Sequence, residues 1–582
     1  MKPIRVIIIN AFLFSLVTGC TNLVKQQAAE PGEGSQPVQL RQQTIVKNAA
    51  TDLSSNLVYD MLASEIAAQR GEHDIAFEHA MNAAEQSRDP QAAERATHLA
   101  LHANQADKAL QATQLWIEID PNSLKAHQYA ALLNTRLKAV PAAIAHLREV
   151  ARIANLNGMN GYLQAAAIAE KSGEPKESLI LMQNVIPSDT TNPEALYALA
   201  LTAIRAQQYT LAEQKIRQAL KVKPGWSKAI QLLSRTLALQ DRQDQGLTVL
   251  DQALAKAPDD IELRLTYAKM LIEAQRLDAS LKQFEILNNK HPNNPDIIHA
   301  LGVLSVELER YRAAKNYFNQ LIRIGQKTGD AHFYLGLIAE KEGDTQAALQ
   351  HFTKVEGNNQ ADARIHMAKI LARQDELDEA RELIQQLRFE SPQNGLKLLL
   401  IEAEILRDVR QYELAQEVYA QGLELYEDNP ELLYARALNA AELGRVDLLE
   451  QDLHRLLKLQ PDHADALNAL GYTLADQTDR LKEAKGYILK ALALKPDSPA
   501  ILDSMGWVEY RMGDLEAALK YLQRAATISP DPEIAAHLGE ILWQMNKKQE
   551  ALRVWRQAEE LDPDNRYIVP VMQRLGVDKK LN

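Results

Sequence analysis

Between Ile501 and Asp531 the chain reads ILDSMGWVEYRMGDLEAALKYLQRAATISPD. Large apolar residues (Met505, Leu515, Leu522) are interleaved with small ones (Gly506, Ala518, Ala525), and polar residues separate them. The pattern predicts a helix, a short turn, a second helix and a stop at Pro530, which lacks an N–H and disfavours helix in the residue before it. Gly506 and Ala518 let the two antiparallel helices approach closely while the large residues fill the gap. Ala525 leaves room for the first helix of the next unit. No such hairpin buries both its faces alone, so stacking is obligatory. After residue 50 no stretch shows the two-residue alternation of β-branched residues that strands require, and strong helix formers dominate. The expected fold class is all-α.

The prolines show that the unit repeats. Pro224, Pro258 and Pro292 are spaced 34 and 34, and Pro461, Pro496, Pro530 and Pro563 are spaced 35, 34 and 33. Pro121 and Pro392 fall on the same grid. Small residues keep the step: Gly471, Ala484 and Ala491, then Gly506, Ala518 and Ala525, then Gly539, Ala551 and Ala558. Upstream the pattern is looser, with Ala200, Ala212 and Ala219, Gly302, Ala314 and Phe318, and Gly336, Ala348 and Phe352. This spacing and residue choice resemble the tetratricopeptide repeat, which implies a superhelical α-solenoid of about 15 helix-turn-helix units. The two glycines of "ANLNGMNGY", Ala154 to Tyr162, suggest a break between sub-arrays. The expected layout is N-terminal units over 51–158, a main array with a terminal helix over 159–575 and a tail over 576–582.

The first fifty residues differ. Lys2 and Arg5 precede an apolar run from Val6 to Val17, broken by Asn10 and Ser15. That is too short to span a bilayer, which needs about 20 apolar residues, but it fits a signal-peptide core. Val17, Thr18, Gly19 and Cys20 follow, and Cys20 is the only cysteine. These four residues resemble the lipobox of bacterial lipoprotein signal peptides. The resemblance implies a signal peptide over 1–19 and a triacylated Cys20, enough for stable anchoring. Thr21, which is not Asp, points to the outer membrane, periplasmic face. Polar residues with Pro and Gly continue to about Asn48, so 20–50 reads as lipidated cysteine plus flexible tether.

Composition narrows the function. With Lys+Arg 65 against Asp+Glu 77 the net charge is −12, which argues against nucleic acid as a partner. The sequence lacks a Gly-rich phosphate loop, Gly-x-Ser-x-Gly and His-Glu-x-x-His. His98 and His102 stand four apart on a predicted helix, but two histidines on a repeat surface are not taken as a metal site. The expectation is no enzyme, no metal and no cofactor beyond the lipid on Cys20.

Repeat arrays of this type work through the concave surface lined by the first helix of each unit. On the tetratricopeptide pattern, Tyr472, Trp507, Tyr510 and Trp543 occupy groove positions, where exposed aromatics would anchor a partner. They also occur there as local packing. From Glu402 to Asp452 there are 13 acidic residues against 4 arginines, and Glu404, Asp408, Glu431 and Glu442 fall on groove positions. The position that carries Asn in repeats clamping a C-terminal carboxylate has none here from Arg235 to Glu540, so that clamp is not expected.

Leu57 to Pro121, with "SEIAAQRG", "SRDPQAAERAT" and Trp116, resembles a family of proteobacterial outer-membrane tetratricopeptide lipoproteins. The resemblance implies an adaptor that binds a periplasmic carboxy-terminal-processing protease, a serine protease, and delivers its peptidoglycan-hydrolase substrates. Two alternatives stay open: a scaffold lipoprotein of an exopolysaccharide secretion machine, and an outer-membrane assembly factor. The lipobox reading is checked by metabolic labelling with palmitate. Wild type takes up label and fractionates with membranes, and Cys20→Ala does neither while keeping its helical circular dichroism.

Overall fold

The computed structural model describes residues 55–577 apart from 173 and 564, so Cys20, the signal segment, the tether and residues 578–582 lie outside the described residues. The described residues form 31 α-helices and two short 3-10 turns, with no strand. Thirty of the helices pair into fifteen hairpins, from Ser55–Gln69 with His73–Ser87 to Pro532–Gln544 with Lys548–Leu561, and Ile568–Arg574 follows alone. The chain divides into two compact units, residues 1–326 and 327–582. No described helix is long and apolar enough to cross a membrane.

Local chemistry sets the helix boundaries. Pro193, Pro295 and Pro430 open first helices of hairpins, where a missing N–H costs nothing. The asparagine before each, Asn192, Asn294 and Asn429, accepts hydrogen bonds from two following backbone N–H groups at 2.9–3.1 Å. Second helices end two residues before the comb prolines, with one residue between: Leu459 and then Gln460 before Pro461, Leu494 and then Lys495 before Pro496.

Within a hairpin, a small residue on the first helix faces a large one on the second. A Cβ built at Gly302 would lie 2.7 Å from the Phe318 ring, at Gly336 2.6 Å from Phe352, and at Gly506 2.6 Å from Leu522 Cγ. At Gly539 it would meet the Trp555 indole at 2.1 Å. Phe318, Leu522 and Trp555 are fully enclosed as a result. Where alanine replaces glycine, as at Ala200, it is buried in the same apolar cluster as Ile216 of the second helix.

In the first unit one apolar cluster runs from Ala131 to Leu237. The break expected at Ala154 to Tyr162 does not interrupt it. Gly158 supplies a turn with φ +71°, and Gly161 lets the next helix close on the Ala151 carbonyl, where a Cβ would sit at 2.1 Å. Gly158 serves the left-handed turn and Gly161 the close packing, and neither divides the array. In the second unit the terminal helix covers the last hairpin with Ile568 and Met572, and Val577 of the expected tail is buried with them.

Gly506→Ala tests the helix contact. Overpacking against Leu522 costs about 1–3 kcal/mol, against a helix-propensity gain of about 1 kcal/mol. Hydrogen exchange is expected to show a loss of protection centred on residues 499–528, because most packing passes between neighbouring hairpins. Protection unchanged there contradicts the close-approach account.

Candidate functional site

The aromatic groove residues lie in the second unit and turn out to be sequestered. Trp507, on the helix Pro499–Arg511, is only 5% exposed. Its ring stacks on His537 at 4.3 Å between centroids and its Nε1–H donates to Asp476 at 3.2 Å. The expectation of an exposed anchor is therefore corrected for Trp507: it is a core residue, closed over by the hairpin that follows. Tyr510 and Tyr472 are half-buried. The Tyr510 hydroxyl donates to Glu540 at 3.1 Å, and the other Glu540 oxygen takes Arg574 at 2.5 Å. The Tyr472 hydroxyl reaches Glu533 at 3.5 Å, two hairpins further on. Burial, then the charges of Glu533, Asp476 and Asp503, push its phenol well above the ordinary value. Trp543, also half-buried, packs against Trp555 at 5.9 Å with the Lys548 ammonium 5.0 Å above its ring.

His537 is the centre of this cluster. Its Nδ1 lies 3.0 Å from both oxygens of buried Asp503. Burial alone lowers the imidazole pKa, but the Asp503 charge, its hydrogen bond, and the charges of Glu533 and Glu540 outweigh that and raise it. The position between a carboxylate and an indole face thus favours the protonated form of His537. The last three hairpins fill their own groove.

The acidic groove residues behave differently. Glu404 and Asp408 on Gly395–Asp408, and Glu431 and Glu442 on Pro430–Glu442, all line one recess of about 430 Å³. Tyr412, Tyr419 and Tyr434 supply its walls together with Arg407. Tyr419 is buried, which raises its pKa, with Arg407 and its hydrogen bond opposing and Glu404 adding to the rise. Arg566, beyond the last hairpin, enters the same recess 3.7 Å from Glu442. Sequence reasoning identified the four carboxylates and missed the tyrosines and Arg566. Groove periodicity gives helix faces, but the return of a distant segment leaves no linear signal.

Most other carboxylates of the acidic stretch are paired. Glu402, 2% exposed, is held by Arg381 and Arg388, both at 3.1 Å. Asp452, 1% exposed, makes a two-pronged pair with Arg436 at 2.7 Å. Glu413 meets Arg445, Glu450 meets Arg480, and Glu427 and Asp428 meet Arg455. Among the described residues no ion pair within 4 Å engages Glu404, Asp408 or Glu431.

Histidines elsewhere pair without forming a metal centre. His98 accepts or donates at 3.2 Å to Tyr129, and His127 with His146 and His332 with His351 meet through Nδ1 atoms at 3.1 and 3.0 Å. The described residues hold no group of three or more metal-ligating side chains.

The tetratricopeptide repeat family pattern matches residues 237–297, 299–363, 339–400, 450–499 and 504–566. A TPR repeat-containing protein of Pseudomonas aeruginosa is 33% identical over 90% of this chain and 88% of its own length. The chain belongs to the tetratricopeptide-repeat family.

This tetratricopeptide-repeat protein also matches cellulose synthase 2 operon protein C of Komagataeibacter xylinus, at 24% identity over 53% of the chain and 24% of that protein. Among solved structures, a tetratricopeptide repeat protein from Parabacteroides merdae covers 42% of the chain at 16% identity with TM-score 0.35. The APC/C hetero-tetramer Cut9–Hcn1 covers 90% at 14% identity with TM-score 0.32. As a family, tetratricopeptide arrays are interaction scaffolds, and no catalytic family is among these matches.

The raised pKa of His537 gives this tetratricopeptide-repeat protein a pH dependence. Its contribution is fully present below the unfolded value of about 6.5 and is lost as pH rises through the raised folded value. Each unit of the rise contributes about 1.4 kcal/mol. Urea unfolding followed by tryptophan emission is expected to weaken from pH 6 to pH 9 in wild type, and His537→Gln removes that slope. Equal slopes in the two proteins contradict the assignment.

Proposed function

We propose that the protein is a lipid-anchored scaffold on the periplasmic face of the outer membrane, an adaptor that binds a carboxy-terminal-processing protease together with its peptidoglycan-hydrolase substrates. The observation that carries the scaffold reading is the recess between Glu404 and Glu442. On an array that pairs most of the neighbouring charge and closes its C-terminal groove, this recess is open and holds unpaired carboxylates beside tyrosines. The protease assignment rests on the Leu57–Pro121 motifs, and the anchor on Val17 to Cys20. Tethering enzyme and substrate to one array raises their effective concentration, into the mM range for short flexible connections. The chain itself supplies surface and proximity, and bond cleavage belongs to the partner.

The likeness to cellulose synthase 2 operon protein C favours a second reading, a scaffold of a polysaccharide export machine. Pull-down from membranes separates the two: a protease with murein hydrolases supports the first, polymer-export components the second.

Reconstitution decides the adaptor reading. The folded array from Ser55 onward, a co-purifying periplasmic protease and a murein hydrolase are mixed, and loss of the hydrolase is followed over time. Degradation at least 10-fold faster with the array than without it is expected; an unchanged rate overturns the adaptor. Trp507 is left intact in all variants, because truncating an enclosed indole costs about 3–5 kcal/mol of local stability and would confound the readout.

A further inference from the structure

We infer that the recess between Glu404 and Glu442 receives a lysine or arginine side chain from a basic segment of a partner protein, and that Arg566 occupies it as a built-in competitor. This rests on the scaffold reading and names the chemistry of what the scaffold binds.

Three observations carry it. First, three carboxylates without an arginine partner converge on one place. In the stretch from Glu402 to Asp452, Glu402, Glu413, Glu427, Asp428, Glu450 and Asp452 are matched to arginines of the array. Glu404, Asp408 and Glu431 have no such partner and all three line the one recess, whereas Glu417, Glu424 and Asp447, also without one, stand singly outside it.

Second, the recess has the walls a cation needs. Tyr412 and Tyr434 are half-buried in it and Tyr419 is enclosed behind them. Aromatic faces beside carboxylates attract a guanidinium or ammonium that keeps part of its hydration. The volume of about 430 Å³ is in the range of built ligand sites and accommodates a long side chain with its backbone at the mouth.

Third, the structure already shows a cation seated there. Arg566 reaches in from beyond the last hairpin and makes an ion pair with Glu442 at 3.7 Å, and it also covers the ring of its own neighbour Tyr567 at 5.2 Å. Its pair with Glu442 is long, and both side chains are more than one-third exposed, the kind of contact that contributes little to stability. A resident guanidinium held this loosely is displaceable. The charge balance agrees: Glu404, Asp408, Glu431 and Glu442 stand against only Arg407 and Arg566. When Arg566 leaves, the recess gains one negative charge and room for an incoming cation of the same chemistry.

The test measures binding of a fluorescent octa-arginine peptide to the full described array at 0.15 M salt. Wild type is expected to bind, and Glu404→Gln with Asp408→Asn and Glu431→Gln weakens binding at least 10-fold. Arg566→Ala tightens it about 3-fold or more. A control that removes three exposed carboxylates of the first unit, Glu174→Gln, Glu177→Gln and Asp189→Asn, leaves affinity within 2-fold. All variants are isosteric or truncated at exposed positions, and circular dichroism verifies that each keeps its helix content. Equal losses in recess and control variants mean diffuse attraction to an acidic protein and overturn the proposal. Spermidine competing as well as an unlabelled peptide of matched charge overturns the peptide assignment. Preference for an octa-glutamate peptide overturns the cation chemistry. Absence of peptide binding alongside accelerated hydrolase degradation sinks this inference and leaves the adaptor standing. Recess-dependent peptide binding with an unchanged degradation rate does the reverse.

Discussion

The contact on which everything else depends is a glycine or alanine on one helix meeting a large side chain on the next. At Gly506 the absence of a side chain lets Leu522 lie against the backbone of its partner helix, and at Gly539 the same absence admits a whole indole. Close approach encloses Leu522 and Trp555 completely, and enclosure makes burial of one large residue worth about 1.5–3 kcal/mol. A hairpin built this way still has an apolar flank, so it is stable only with a neighbour. The array follows from that dependence, and so does the terminal helix, whose Ile568 and Met572 close the flank of the last hairpin.

Stacking then determines where charge can go. Arginines in the turn just before a second helix face carboxylates on the second helix of the preceding hairpin, and several such pairs bridge neighbouring hairpins at a separation close to the repeat, as Arg445 with Glu413 and Arg480 with Glu450 do. Exposed pairs of this kind contribute only about 0–1 kcal/mol each. Their larger effect is to remove unmatched charge from the surface. Asp452 and Glu402 are different, because they are enclosed. Leaving either without its arginine would strand a buried carboxylate at a cost of about 3–5 kcal/mol.

The hairpins were legible in the sequence because the spacing that makes a helix pair is local. Proline, glycine and alanine at fixed steps predict fifteen hairpins and a last helix, and the structure has them. The groove positions of Glu404, Asp408, Glu431 and Glu442 were legible for the same reason, since helical period alone assigns a face. What period cannot give is contact between hairpins that are not adjacent. Trp507 looks open from its position, yet His537 of the next hairpin stacks on it, and Tyr472 meets Glu533 from two hairpins away. Arg566 reaches Glu442 from further still. Each of these depends on how far successive hairpins rotate, a small angle repeated many times that no single repeat records. The glycines at Gly158 and Gly161 misled for a related reason. A glycine in a polar run marks a division when the backbone leaves the core, but here Gly158 supplies a left-handed turn and Gly161 a backbone pressed against the preceding helix.

A groove that runs along many hairpins is not uniformly available. Near the C-terminal end the protein occupies it with its own Trp507, His537, Asp503 and Glu540, bound into a network of hydrogen bonds and ion pairs. That network makes the end rigid and removes it as a landing site, since a partner would have to break buried charged hydrogen bonds worth about 1.5–3 kcal/mol each. Further upstream the groove is left partly empty, Glu404, Asp408 and Glu431 lack an ion-pair partner, and Arg566 makes only a long pair with Glu442. A partner binds where displacement costs least and complementarity is highest. For an array in which backbone geometry is nearly the same at every step, the distribution of filled and unfilled groove is what makes one stretch of the solenoid specific and another merely structural.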